Sequence, residues 1–266
     1  MRLANRVAIV VGAGQSPGEG TGNGRATAIT FARAGARVLC VDHHLESAQE
    51  TVELIGREHG VAAAFAADVT SEAQLQAMVA DAHTRWGRID ILHNNVGVSI
   101  AGGDAVLAEL TEANFDRVVA INLRGTIMAC KHVIPIMRAQ GGGAIVNISS
   151  TAAWMVYPYV AYKATKAAMI AFTQQLAIQN APFGIRANVI LPGLMNTPMA
   201  VDTRARTFNK PRAEVEAERD AQVPLRKKMG TAWDVANAAL FLASDEAGFI
   251  TGVSLPVDGG AGVRVG

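Results

Sequence analysis

The chain has 266 residues, half of them apolar and 18% charged, with a formal net charge of +1. This composition is typical of a well-packed domain, and the small net charge does not favour nucleic-acid binding. No apolar run reaches the roughly 18 residues of a membrane span, and the start from Met1 to Val7 lacks the apolar stretch of a secretory signal. These features and two cysteines in apolar segments, Cys40 and Cys130, predict a reducing cytoplasm and neither a nucleic-acid nor a membrane partner.

Short β-branched runs alternate with longer helical patterns along the chain. Strands are predicted over residues 6–11, 37–42, 62–67, 89–94, 144–149, 185–191 and 254–257. Helices are predicted over 25–34, 45–59, 72–86, 111–139 with a bend near Pro135, 161–180, and 232–243 behind a Thr231–Asp234 capping box. The alternation predicts an α/β fold: one Rossmann-type domain over residues 1–266, with a doubly wound parallel sheet and helices on both faces.

Residues 194–228 interrupt this rhythm, and we call them the insertion. They are charged and contain Pro198, Pro211 and Pro224. They follow the carboxyl end of a strand, where doubly wound folds bind ligands. Long insertions in compact domains are usually functional, so the insertion is predicted to be a substrate-binding loop or lid.

Glycines crowd the turn between the first strand and the first helix. Such a turn lets the backbone approach a pyrophosphate at a helix N-terminus. Gly18, Gly22 and Gly24 match a Gly-x-x-x-Gly-x-Gly spacing literally. The strand and helix ends favour a different set, namely Gly12, Gly14, Gly22 and Gly24 with Asn23, and this set treats residues 15–21 as an enlarged loop.

Asp42 closes the second predicted strand, where a carboxylate can bond an adenosine ribose. Its charge would repel a 2′-phosphate, which predicts NAD rather than NADP. The alternative is a cap for the helix that follows, and His43 and His44, if protonated, would weaken the discrimination. His59, His83, His93 and His132 show no metal-ligand spacing, so no metal site is predicted.

Tyr162 and Lys166 stand four residues apart in a predicted helix and so share one face. A phenol has a pKa of about 10, and a neighbouring ammonium lowers it towards the range useful for proton transfer. Ser149 and Ser150 lie a short way upstream and could hold the reacting oxygen. Alone, the spacing is a weak signal, because it is equally typical of two neighbouring side chains on an exposed helix surface.

The order of these motifs over the whole chain resembles the short-chain dehydrogenase/reductase family. The resemblance implies that Tyr162 is the general acid/base, that Lys166 lowers its pKa and holds the nicotinamide ribose, that Ser150 binds the substrate oxygen, and that Asn122 anchors a water beside Lys166. It also implies further contacts with the cofactor, at Asp68, Val69, Asn95, Gly97, Pro192, Gly193, Thr197 and the backbone of Met195.

The family's serine has two candidates here. Counting forward from Asn147 selects Ser150, whereas counting back from Tyr162 by the family's commonest interval selects Ser149. Ser150 is preferred, because a one-residue deletion in the following loop is easier than a shift in the strand. Neighbouring strand side chains point to opposite faces, so only one serine should face the substrate.

The leading hypothesis is an NAD(H)-dependent oxidoreductase that interconverts a secondary alcohol and a ketone on a small, hydrophobic or cyclic substrate. A 3-oxoacyl thioester reductase is the main alternative within enzymes, and a non-catalytic dinucleotide-binding regulator is the alternative from another class. The family is usually tetrameric. A homotetramer is predicted here, because small residues on the Tyr162 helix suit close packing: Ala164, Ala167, Ala168 and Ala171.

Overall fold

Seven parallel strands form one sheet in the order β3-β2-β1-β4-β5-β6-β9 in the computed structural model, which describes residues 1–263. The strands are β1 Val7–Val11, β2 Arg37–Asp42, β3 Val61–Ala66, β4 Ile91–Asn94, β5 Gly143–Ile148, β6 Ile185–Pro192 and β9 Ser254–Val257. Two short strands, β7 Met195–Asn196 and β8 Gly230–Thr231, pair separately. The predicted doubly wound parallel sheet is confirmed.

Nine α-helices accompany the strands within residues 1–263. They are α1 Asn23–Arg33, α2 Leu45–Arg57, α3 Glu72–Trp86, α4 Glu112–Val119, α5 Gly125–Gln140, α6 Val160–Asn180, α7 Asp202–Phe208, α8 Arg212–Asp220 and α9 Ala232–Ala243. Alternate strand residues point to opposite faces of the sheet. Val10 and Cys40 therefore pack with α1, α2 and α9, whereas Ile9 and Leu39 pack with α3, α5 and α6.

Two of the differences between the predicted and the observed elements concern helices next to the predicted site residues. The first helix begins at Asn23 rather than residue 25, because Gly22 already takes the extended N-cap conformation. The long helix predicted over 111–139 is interrupted by a π-helical turn, Ala120–Arg124, between α4 and α5. Hydrophobic periodicity does not distinguish a π turn from an α turn, although such turns are frequent at functional sites.

The direction of chain winding reverses between β1 and β4, which lie side by side. Ligands of open α/β sheets bind in the crevice outside the carboxyl ends of the strands at such a point. The glycine turn follows β1 here, and Asn95 follows β4, with its Nδ2 donating to the Gly12 carbonyl at 3.2 Å.

Cys40 and Cys130 are buried as free thiols, and burial raises the pKa of each to about 12. None of the helices within residues 1–263 has the length and hydropathy needed to cross a bilayer. The same residues contain no cluster of three or more histidine, cysteine or acidic side chains that could hold a metal ion.

Candidate active site

Tyr162 and Lys166 lie in the first two turns of α6. Lys166 is almost fully buried, with its Nζ donating to the Ile148 carbonyl at 2.9 Å and lying 5.5 Å from the centroid of the Tyr162 ring. A pair exposed on the surface is therefore the wrong interpretation of the spacing. The helix carries the lysine inward to the end of β5.

The two neighbouring serines have different surroundings. Ser149 is buried, and its Oγ donates to the Lys166 carbonyl at 2.6 Å. Ser150 instead faces the Tyr162 phenol, where its hydroxyl lowers the pKa of that phenol, and its Oγ also accepts the Ala152 amide at 3.1 Å. The geometry brings Ser150, not Ser149, to the tyrosine. The preference for Ser150 stays a prediction, which this arrangement supports.

Desolvation controls the acid–base properties of the pair. Burial raises the pKa of Tyr162 to about 12, and Tyr157 adds to this, while Ser150 and Arg204 act in the lowering direction. Burial also lowers the pKa of Lys166 to about 8. Lowering of the tyrosine's pKa by Lys166 stays a prediction, because in this structure the Nζ is directed at the Ile148 carbonyl and only Ser150 and Arg204 act in the lowering direction.

Asn122 lies in the π turn and is fully buried. Its Oδ1 accepts the Val98 amide at 2.7 Å, and its Nδ2 donates to the Val98 carbonyl at 2.8 Å and to Thr165 Oγ1 at 3.2 Å. A side chain at Gly97 would lie 3.0 Å from Lys166 Nζ and 3.6 Å from Asn122 Oδ1. The π turn therefore places Asn122 next to Lys166, and Gly97, which has no side chain, lies between them.

Sequence reasoning missed Asp104. This buried carboxylate accepts the Ala161 amide at 3.0 Å and the Tyr162 amide at 2.8 Å, while the Ala105 carbonyl accepts the Val160 amide at 3.2 Å. A segment almost 60 residues upstream thus caps α6. One indirect signal existed, since Tyr159 at the N-cap has no side chain suited to capping.

The tyrosine also has an aromatic neighbour. The ring of Tyr157 lies 5.3 Å from that of Tyr162, and its hydroxyl is 2.9 Å from Ser99 Oγ. The loop before it exposes Trp154, Met155 and Val156. This exposed apolar segment leads directly into Tyr157.

The glycine turn fits a dinucleotide. Gly12 has φ +81°, and a side chain at Gly24 would come within 1.8 Å of the Gly12 carbonyl oxygen, so the start of α1 can approach the turn only without a side chain. Gln15 closes the enlarged loop on itself, because its side chain donates to the Gly20 carbonyl and accepts the Gly22 amide. The structure therefore places Gly12, Gly14, Gly22 and Gly24 at the strand and helix ends and residues 15–21 outside them.

Asp42 lies directly under this turn. Its Oδ2 accepts the Gly14 amide and its Oδ1 the His44 amide, both at 3.1 Å, and His43 Nδ1 lies 3.1 Å from Oδ1. A side chain at Gly14 would lie 2.6 Å from Oδ2. Asp42 is thus fixed at the place expected for a ribose-binding carboxylate, although it also bonds backbone at the start of α2, as a cap does.

The other predicted cofactor residues lie along the same edge of the sheet. Asp68 Oδ1 accepts the amide and hydroxyl of Thr70 at 2.8 Å each. Beyond β6, the Gly193 amide donates to Val257, and Thr197 is buried. Met195 lies in β7 with its side chain buried, which leaves its backbone as the part available to a ligand. Pro192 is the last residue of β6, Met195 lies in β7, and the others follow strands: Asp68, Val69, Asn95, Gly97, Gly193 and Thr197.

The insertion reaches across to the enlarged loop. Asp202 Oδ1 accepts the Glu19 amide at 3.2 Å, and Arg206 donates to the Pro17 carbonyl at 3.1 Å. Arg212 lies 3.3 Å from Asp202 and 3.8 Å from the Glu19 carboxylate. The enlarged loop and the insertion therefore hold each other over the end of the sheet.

A family model described as enoyl-(acyl carrier protein) reductase matches residues 19–262. The chain belongs to the short-chain dehydrogenase/reductase family. It is 36% identical over 261 residues to 2-(R)-hydroxypropyl-CoM dehydrogenase of Xanthobacter autotrophicus, covering 96% of this chain and 98% of that protein. It is 34% identical to levodione reductase of Leifsonia aquatica, with 97% and 95% covered.

A solved structure gives the same family. The chain superposes on 7α-hydroxysteroid dehydrogenase complexed with NADH and 7-oxo glycochenodeoxycholic acid with a TM-score of 0.85, at 33% identity, covering 97% of this chain and 95% of that one. As a short-chain dehydrogenase/reductase, the protein is an oxidoreductase, and its family uses a nicotinamide dinucleotide. The glycine turn and Asp42 fit such a group.

Proposed function

We propose that the protein is an NAD(H)-dependent oxidoreductase that interconverts a secondary alcohol and a ketone. The observation that carries the proposal is the convergence of Ser150, Tyr162 and Lys166 at the carboxyl end of β5, on the edge where the glycine turn follows β1. The cofactor, when bound, supplies the acceptor or donor of a hydride.

Tyr162 is the proton-transfer group in this proposal. With a pKa of about 12, Tyr162 is protonated at neutral pH. This is the state that delivers a proton to the oxygen of a carbonyl group as that group is reduced. Ser150 faces the same phenol and donates a hydrogen bond to the substrate oxygen. Lys166, with a pKa near 8, is mostly cationic at neutral pH and stabilises the phenolate that proton transfer leaves behind.

The surrounding residues hold this group in place. Asn122 fixes the Val98 backbone next to Lys166, and Asp104 fixes the first turn of α6. Preorganisation of this kind is a large part of catalysis, because hydrogen bonds must be aimed before charge develops. Asn122 is also the residue we assign to anchoring the water through which the lysine exchanges protons.

Asp42 supports NAD over NADP, because its carboxylate at the end of β2 would repel a 2′-phosphate. The exposed apolar loop of Trp154, Met155 and Val156 supports a substrate with a hydrophobic or cyclic body. A 3-oxoacyl thioester reductase stays the second candidate, since the matching family model carries the description of an acyl-carrier-protein reductase. Its usual pairing with NADPH conflicts with the carboxylate at Asp42.

A homotetramer is part of the proposal. Ala164, Ala167 and Ala171 are exposed on α6, and Ile178 further along the same helix is 71% exposed. Small residues allow a second helix to approach closely. A measured mass in solution decides this point, and a cytoplasmic location agrees with the free thiols.

The experiment for the proposal is a panel of secondary alcohols and ketones assayed with NAD(H) and with NADP(H). Turnover of at least one member, with a higher kcat/KM for NAD(H), is expected. Turnover with no member would contradict the enzymatic proposal and favour a binding role. A clear preference for NADP(H) would contradict the role of Asp42 and favour the thioester alternative.

A further inference from the structure

Four arginines of the insertion have no carboxylate partner within residues 1–263, and the two of them that are not exposed are Arg204 on α7 and Arg219 on α8. Every acidic residue of these two helices is paired with another cation, as Asp202 and Glu216 with Arg212, Glu214 and Glu218 with Lys210, and Asp220 with Lys228. The acidic side chains of α7 and α8 are thus all taken, and Arg204 and Arg219 are partly buried cations without an anionic partner.

Neither arginine is fully solvated. Arg219 is mostly buried, and its Nε is buried with no hydrogen-bond partner in the described part of the chain. Arg204, also partly buried, donates from Nη1 to the Ala200 carbonyl at 2.9 Å, its one hydrogen bond within residues 1–263. A buried guanidinium without an anion is unfavourable, so this arrangement is suited to a ligand that brings the missing negative charge.

The two arginines interact electrostatically with Tyr157 and Tyr162, the tyrosines at the proposed catalytic end of the crevice. Burial sets the high pKa of Tyr162 and of Tyr157, and the charge of Arg204 lowers both. Burial lowers the pKa of Arg219 to about 10, the nearby Arg204 lowers it further, and Tyr157 raises it. The charge of Arg204 therefore reaches both tyrosines and Arg219, and the two tyrosine rings are themselves 5.3 Å apart.

Two other arginines of the insertion lie against the enlarged glycine loop, on the cofactor side of the crevice. Arg206 contacts Pro17, and Arg212 lies near Glu19, so both face the enlarged glycine loop. Arg204 and Arg219 have no contact with that loop among the described hydrogen bonds and ion pairs. The interaction of Arg204 with both tyrosines, and of Arg219 with Tyr157, favours a role toward the substrate rather than toward the pyrophosphate.

We propose that Arg204 and Arg219 bind an anionic group of the substrate beside Tyr162, so that the enzyme acts on hydroxy or oxo acids in preference to neutral alcohols or ketones. The proposal rests on the proposed function. Guanidinium groups match carboxylates and related oxyanions with paired N–H donors. Together with the apolar loop at Trp154 and Val156, they select a substrate with an apolar body and an anionic end.

The test compares each of several oxo acids of increasing chain length, such as 4-oxopentanoate, with its methyl ester, using the wild-type protein and NADH. The pair differs in charge but not in the reacting carbonyl. Removal of a charge-assisted hydrogen bond changes binding by about ten-fold or more, so we expect kcat/KM to be at least ten-fold higher for the best acid than for its ester.

Substitutions then locate the effect. In Arg219→Met and in Arg204→Met, the acid-to-ester ratio should fall about ten-fold through a higher KM for the acid, and Arg219→Lys should restore part of it. Arg37→Met is the matched control, because Arg37 is exposed at the amino end of β2, on the opposite edge of the sheet. That variant should keep the wild-type ratio.

The outcomes separate this inference from the function beneath it. Wild-type turnover of the esters at least as efficient as that of the acids would overturn the anion site and leave the oxidoreductase intact. Turnover of neither would overturn both. A weakened NAD affinity in the arginine variants that accounts for the whole loss would assign these side chains to the cofactor, which also overturns the inference.

Discussion

The Asp104 carboxylate accepts the backbone N–H of Tyr162 at 2.8 Å and so ties the proposed catalytic residue to a loop 58 residues earlier in the chain. The same side chain accepts the preceding amide, that of Ala161, at 3.0 Å. Tyr159, the N-cap residue, makes no capping hydrogen bond with its side chain. Asp104, which is distant in sequence, caps the helix instead. A carboxylate here also lies favourably at the positive end of the helix dipole.

Substitution of Asp104 by Ala should lower both stability and kcat. Loss of a cap costs about 1–2 kcal/mol, and a shift of the tyrosine by about 1 Å can cost about a hundred-fold in rate. We expect kcat to fall at least ten-fold with a smaller change in KM. Asp104→Asn keeps an acceptor oxygen and should recover part of the rate.

Asp81→Asn, on the exposed side of α3, is the control for that experiment, since its carboxylate pairs only with Arg85. Steady-state kinetics and thermal melting of the three variants separate the two effects. A lower melting temperature for Asp104→Ala with an unchanged kcat would mean that the carboxylate stabilises the helix but does not position the tyrosine.

Replacement of Asp42 by Ala should change the choice of cofactor. The variant loses the repulsion of a 2′-phosphate and the bond to the ribose, so the ratio of kcat/KM for NAD to that for NADP should fall at least about ten-fold. Glu46→Gln, an exposed carboxylate in the first turn of α2, should leave that ratio unchanged. An unaltered ratio in Asp42→Ala would show that Asp42 acts as a cap for the turn at His44.

The link between the enlarged loop and the insertion should affect cofactor binding. In Asp202→Ala the Glu19 amide loses its acceptor and Arg212 loses a partner. Removal of a hydrogen bond to a charged group costs about 1.5–3 kcal/mol, so residues 15–21 should exchange amide hydrogens faster and the Kd for NAD should rise several-fold. Glu218→Gln, which pairs only with Lys210, should do neither. Unchanged exchange and an unchanged Kd would remove this link from the account.

His93 should make the fold sensitive to acid. It is fully buried in β4, its ring nitrogens have no partner in the described structure, and burial lowers its pKa to about 3. An unfolded histidine has a pKa of about 6.5. Below pH 6.5 the histidine of the unfolded chain binds a proton, whereas His93 of the folded chain stays neutral. The free energy of unfolding is therefore highest above pH 6.5 and declines as the pH falls towards 3.

The linkage amounts to about 1.4 kcal/mol per pH unit, or about 2 kcal/mol between pH 6.5 and pH 5. Urea unfolding of the wild type and of His93→Leu at pH 7.5 and pH 5 measures it. The variant should lose less stability on acidification, whereas His83→Gln, at an exposed site on α3, should behave as the wild type does. Equal losses in all three proteins would rule out His93 as the source.

The sequence was sufficient for features that repeat along the chain or depend on local spacing. The sheet, its parallel winding and the alignment of Tyr162 with Lys166 follow from periodicity and from a four-residue step on a helix. The π turn at Asn122 and the caps from Asp104 did not follow, because they depend on contacts between distant segments. The unbalanced charges of Arg204 and Arg219 became visible only once the pairing of every neighbouring carboxylate was known.

Turnover and cofactor affinity of Tyr162→Phe test the central claim most directly. Removal of one oxygen atom takes away the proton donor and leaves the ring packed against Tyr157. We expect kcat for the best ketone to fall by about a thousand-fold, within the range of general acid–base catalysis, while the Kd for NAD(H), measured by fluorescence titration, changes by less than about three-fold. Turnover near the wild-type rate in a variant that still binds NAD(H) would contradict the account.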